Sequence, residues 1–210
     1  MKESIFISSV KSYIPQTPTD SPKLEYADPL FRRRLSQITK MTIQVVHDIL
    51  EDVTIGEDTK LVFVSLRGEI KREFTINKWL IEDNSIMPAA FSLSVFNTPI
   101  ASATLAFKLH GGYSVIYPSK NNFRDGFIQA VSPVLAETEN EIIFVYADEL
   151  VPEEYGDLRP AENIPMAFAC KISNKADAGQ NGNSIEIRRD DLKKISSSPS
   201  EFLEFLKNKN

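Results

Sequence analysis

Polar chemistry in this chain of 210 residues has few candidates: one cysteine, Cys170, two histidines, His47 and His110, and the neighbouring Ser119 and Lys120. A thiol attacks as its thiolate, which a helix N-terminus or a nearby cation must favour. Cys170 lies instead in the mainly apolar run Met166-Ala167-Phe168-Ala169-Cys170. A serine hydroxyl needs an adjacent base, and no elbow-type glycine motif frames Ser119. The Lys120 amine and the His110 imidazole are the remaining candidates for acid–base or acyl-transfer work. Each has a structural reading that weighs more: a solvated loop lysine, and a histidine closing a helix beside Gly111-Gly112. His47 falls inside an amphipathic stretch and has no motif partner.

Metal and nucleotide sites find no support. One cysteine and two separated histidines cannot supply the usual zinc spacing, and no glycine-rich nucleotide loop occurs. The acidic pairs Glu153-Glu154 and Asp190-Asp191 sit in polar surroundings and read as solvated. No cofactor and no metal are expected.

The elements that must position these residues alternate along the chain. Ile5 to Val10 reads as a strand, and the Pro-, Thr- and Ser-rich 16–22 as a loop. From Pro29 to Glu51, Leu30, Leu35, Ile38, Met41, Val45 and Ile49 recur at three- and four-residue steps, predicting one long helix. Short β-branched runs at Lys60–Leu66, Glu141–Ala147, Pro165–Ile172 and Ser184–Arg188 predict strands. Asn97 before Thr98-Pro99 predicts a helix start, with its end at Gly111-Gly112. Tyr113–Tyr117 alternates as a strand, and Asn121 or Asn122 opens a helix towards Glu137. The stretch 174–183 holds little to bury and is expected to be a mobile loop or turn. This order predicts a layered α/β fold with a mostly parallel sheet covered by helices.

Composition removes several functional classes. A formal net charge of −5 offers no basic field for nucleic acid. A single cysteine excludes an internal disulfide and fits a reducing compartment. No apolar run approaches the roughly 18 residues of a membrane span, and the opening Met-Lys-Glu-Ser has no signal-like apolar core. The expectation is one cytoplasmic domain over residues 1–210, with a polar C-terminal tail from about residue 196.

The segment Met87-Pro88-Ala89-Ala90-Phe91-Ser92-Leu93-Ser94-Val95-Phe96-Asn97 resembles the Pro-x-x-Phe-Ser-x-Ser-x-x-Asn stretch of a short subfamily of β-ketoacyl synthase N-terminal domains. Phe107-Lys108-Leu109-His110-Gly111 resembles the helix end and glycine turn before that family's nucleophile strand, and Glu141–Ala147 the strand after its nucleophile helix. The resemblance implies the thiolase-like fold, in the size of one half of a full synthase. Members of the short subfamily are described as chain-length-factor-like and occur with aryl polyene or flexirubin-type pigment synthesis.

The resemblance also exposes a departure. Condensing members place a cysteine at the start of a buried helix, whose amides and dipole favour the thiolate. Here the matching segment reads Tyr117-Pro118-Ser119-Lys120-Asn121-Asn122-Phe123, and the cysteine position falls at or within a residue of Lys120. The two histidines that condensing members draw from a second half have no counterpart. The implied function is a non-catalytic accessory protein that partners a ketosynthase, an acyl carrier protein or both. An oligomer is expected, because loss of the second half leaves an apolar face in need of cover. The run Arg32-Arg33-Arg34 is a candidate for steering an acidic carrier protein, although a simply solvated helix start weighs more. The alternative is an acyltransferase or thioester hydrolase reusing the old pocket through Ser119, Lys120 and His110.

Overall fold

A computed structural model describes residues 2–160, 162–176 and 184–209. In chain order the elements are β1 (Ser4–Tyr13), α1 (Pro29–Arg32), α2 (Gln37–Asp52), β2 (Lys60–Val64), α3 (Ile70–Asp83), α4 (Pro88–Phe91) and α5 (Thr98–Phe107). There follow β3 (Tyr113–Ile116), α6 (Phe123–Leu135), β4 (Glu141–Asp148), β5 (Met166–Ser173), β6 (Ile185–Arg188) and α7 (Pro199–Lys209). The six strands make one sheet in the order β3-β2-β4-β5-β1-β6.

The layered α/β class stands. The expectation of a mostly parallel sheet holds for β3, β2 and β4, which run parallel, whereas β5 is antiparallel to β4 and β1, and β6 to β1. The cause is the connections. A parallel neighbour requires a crossover, usually a helix, and helices lie between β2 and β3 and between β3 and β4. Among the described residues between β4 and β5 the only regular element is a 3-10 turn, Glu153–Leu158, so the chain returns antiparallel.

Helices cover both faces. The α2 stripe Ile38, Met41, Val45 and Ile49 packs with Ile100 and Ala103 of α5 against Leu61, Phe63, Ile143 and Val145. On the other face α6 and α7 pack over Val62, Val64, Phe144 and Phe168. Phe123 is fully buried and meets Tyr146 edge-on at 5.3 Å between ring centroids. Each such side chain contributes about 1.5–3 kcal/mol by leaving water. Gly126 lets α6 cross β2 closely, since a Cβ there would sit 2.8 Å from Val64 Cγ1.

Several expected boundaries move for local reasons. The helix expected from Pro29 to Glu51 is two helices. Asp28 caps the first by accepting from the Leu30 and Phe31 amides, and Ser36 caps the second by accepting from Thr39 N at 3.2 Å. The arginine run therefore ends α1 and enters the turn, with Arg33 and Arg34 exposed. Helix α5 stops before Gly111, at Lys108 in a left-handed conformation (φ 53°). Gly111 is required instead by close approach: a Cβ would meet the Thr59 carbonyl oxygen at 2.3 Å.

The polar tail expected from about residue 196 contains α7, whose Phe202, Leu203 and Leu206 are buried. That helix packs over α6, so this face of the sheet is covered by the chain's own C-terminal segment. Of the loop expected at 174–183, residues 177–183 lie outside the described residues. No helix among the described residues is long and apolar enough to cross a membrane.

Candidate functional site

The segment matching the nucleophile position lies between β3 and α6. Pro118 is buried, a 3-10 turn spans Ser119–Asn121, and Asn122 precedes α6. Lys120 takes the left-handed conformation (φ 57°, ψ 26°), so the turn is sharp although no glycine occupies it. Ser119 and Lys120 are both exposed. Among the described residues, no histidine or carboxylate accepts from the Ser119 hydroxyl, and no carboxylate pairs with Lys120.

The start of α6 is closed by the chain itself. Phe123 N donates to the Ser197 carbonyl at 3.3 Å, and Arg124 Nε donates to the Ile195 carbonyl. Helix N-terminal amides lower a thiol's pKa only when they face it; here the first amide serves the segment leading into α7. The Asn122 side chain does not cap α6, and its Oδ1 is buried without a hydrogen-bond partner.

The other candidates lie apart. His110 is exposed between α5 and β3, at the opposite end of β3 from Ser119. At about 3.3 Å per residue the intervening strand alone separates them by about 10 Å. Ser119, Lys120 and His110 are therefore not assembled into one constellation. His47, on α2 across the sheet, stacks on Tyr26 with centroids 3.8 Å apart and lies 3.3 Å from Asp48 Oδ1. His47, Asp48 and Glu51 bring an imidazole and two carboxylates within 4.8 Å of one another on α2. Cys170 is fully buried in the middle of β5, and burial pushes its thiol well above the ordinary range.

A polar network that the sequence does not announce occupies the C-terminal ends of β2 and β4. Asp148 accepts from Ser65 Oγ at 2.7 Å, Arg67 N at 2.9 Å and the Tyr146 hydroxyl at 2.5 Å. Burial raises the pKa of Asp148 and raises Tyr146 further, because ionised tyrosine would face this carboxylate. Beside them, Glu149 accepts from Lys71 N at 3.2 Å, and burial next to Glu69 pushes it up to about 7. Tyr146, Asp148 and Glu149, with Arg67, Glu162 and Asn163, line a cavity of about 130 Å³. Strand-terminal Tyr-Ala-Asp-Glu, directly after a buried apolar run, is the only sequence signal that could have marked the network.

Exposed apolar residues are concentrated in α3, α4 and the turns beside them. Leu80, Ile81, Ile86, Met87, Phe91 and Val95 are all more than two-fifths exposed. Phe96 ties this region to β3 through an edge-on contact with Tyr117 at 5.6 Å, and Asn97 Nδ2 donates to the Tyr113 hydroxyl at 2.9 Å. Strand β3 ends the sheet, so one of its backbone edges has no strand beside it among the described residues.

Comparison with known proteins agrees with this geometry. A chain of the complex between the ketosynthase ApeO and its chain length factor ApeC, from Xenorhabdus doucetiae, superposes with a TM-score of 0.70 at 21% identity. That match covers 98% of this chain and 90% of the other. A chain of the AntDE:AntF complex, a type II polyketide acyl-carrier protein with its ketosynthase, matches at TM-score 0.61 and 10% identity, covering 82% of this chain and 64% of the other. The ishigamide ketosynthase/chain length factor matches at TM-score 0.55 and 9% identity, over 72% and 47%. This chain thus spans less than two thirds of those last two proteins. No curated protein sequence matches it. The family model for the β-ketoacyl synthase N-terminal domain matches residues 9–206, almost the whole length. With its thiolase-like three-layer fold and mixed sheet, the chain belongs to the β-ketoacyl synthase N-terminal domain family.

Proposed function

We propose that this protein is a non-catalytic, chain-length-factor-like partner of a ketosynthase, an acyl carrier protein or both, in fatty-acid-like or aryl polyene synthesis in the cytoplasm. The observation that carries the reading is the start of α6. Where a condensing protein would present a thiol to helix amides, this chain has an exposed Ser119-Lys120 turn, and the first amide is taken by Ser197. The turn near Lys120 is then a vestigial nucleophile position with no catalytic role. A partner role draws further support from the exposed apolar residues 80–95 beside the open edge of β3, since an apolar patch next to an unpaired strand favours association.

Co-expression with a ketosynthase from an aryl polyene or related system tests the reading. A stable 1:1 complex is expected, and Met87→Asp with Phe91→Asp is expected to reduce its recovery by at least about tenfold. Condensation of acyl and malonyl thioesters by this chain alone would overturn it. Intact mass after exposure to a panel of acyl thioesters addresses the acyltransferase or hydrolase alternative. No adduct is expected, whereas acylation at Ser119 or Lys120 would establish that alternative in its place.

A further inference from the structure

Three acidic side chains are buried at one junction: Glu69 is 2% exposed, Glu149 3% and Asp148 6%. Glu69 stands immediately before α3 and ties it to α2, accepting from Ser36 Oγ at 2.6 Å and Thr39 Oγ1 at 2.5 Å. Arg72 Nε approaches its other oxygen at 3.2 Å. Glu149 follows β4 directly and accepts from Lys71 N, an amide in the first turn of α3. Two acids from different elements thus converge on one helix start, and their charges act on each other.

The cations facing this junction are Arg72 and Lys71 of α3 and Arg67 of the preceding turn; the acids are the three above and Glu162 across the cavity. Ser36 and Thr39 of α2, Ser65 after β2 and the Tyr146 hydroxyl are neutral donors. Arg72 is already engaged with Glu69, so among the described residues Glu149 has a backbone amide and no guanidinium hydrogen bond, and the charges of Lys71 and Arg72 offset its burial only in part. A buried carboxylate compensated only in part is held most cheaply as the neutral acid.

We propose that Glu149, set against Glu69, is a proton-operated latch on the N-terminus of α3: with the proton held the helix start stays docked, and with it lost the two carboxylates push the junction apart. The sign follows from the direction of the shift. Glu149 lies above its ordinary value, at about 7, so the stabilisation is complete at pH values below the ordinary carboxylate range. It decreases as pH rises and is gone above about 7. The adjoining cavity of about 130 Å³, which Glu149 lines, has room for water-sized molecules. Because α3 carries the exposed Leu80 and Ile81, opening the latch would move part of the apolar region. The latch itself is a property of this chain and stands whether or not a ketosynthase is the partner.

Amide hydrogen exchange on the full chain tests it, with rates corrected for intrinsic pH dependence. Protection of the α3 first-turn amides is expected to fall at least about tenfold between pH 5.5 and 8 relative to β4 and β5, the linkage limit being tenfold per pH unit. Glu149→Gln should abolish the fall, and replacing both His47 and His110 with Gln should leave it in place. Equal protection at both pH values, or a fall that disappears with the histidines and persists in the Glu149 variant, overturns the proposal. Should Glu149→Gln fail to fold, a carbon-detected NMR titration of the wild-type Glu149 carboxyl decides: a midpoint in the ordinary carboxylate range overturns it, and one near neutrality upholds it.

Discussion

Phe202 of α7 lies with its ring centroid 4.8 Å from that of Phe127 and 5.2 Å from that of Phe123, placing a C-terminal residue against the helix that follows the Ser119–Asn121 turn. All three rings are buried. This contact covers α6 from within the chain, so a domain the size of half a synthase can close its own core.

Phe202→Ala should therefore cost about 3–5 kcal/mol, the usual range for deleting a buried aromatic ring. Urea denaturation checks this, and Phe202→Leu should recover most of the loss. A change below about 1 kcal/mol would mean that α7 does not seal the core.

Lys120 holds a left-handed backbone, a conformation that costs a residue with a Cβ about 1–2 kcal/mol. Replacing it with glycine should raise stability by roughly 0.5–1 kcal/mol after the entropy lost from the unfolded chain is counted. An unchanged or lower urea midpoint would show that the lysine side chain itself holds the turn.

The Tyr146 hydroxyl donates to a nearly fully buried Asp148 carboxylate. Tyr146→Phe removes that donor with little change of shape and should cost about 1–3 kcal/mol. Asp148→Asn should cost at least as much, because an amide cannot accept from the Ser65, Leu66, Arg67 and Tyr146 donors together. Wild-type thermal stability in both variants would mean the network is not held in solution.

Cys170 is fully buried and its thiol is pushed up by burial alone, so it stays protonated at neutral pH. A disulfide-exchange reagent should label the native protein at least about a thousandfold more slowly than the unfolded chain, since reaction waits for opening of a core strand. Rapid native labelling would place the sulfur at a surface after all and reopen the question of a thiol nucleophile.

The amino-acid order by itself determined the layered α/β class, the strand positions and the absence of a thiol near residue 120, because these are read within a window of a few residues. Leu-Val-Phe-Val at 61–64 and Ile-Ile-Phe-Val at 142–145 suit only strands buried on both faces, and a missing side-chain type needs no alignment to detect. The β5 reversal was not legible, because strand direction depends on the length and content of the connection rather than on the strand. The break at Ser36 was hidden by an apolar stripe whose period runs straight through it. The cover that α7 gives α6, and the meeting of Glu69 with Glu149, join residues about 75 or more positions apart. No local pattern encodes such contacts, and only the closed tertiary fold decides which distant side chains lose their water together.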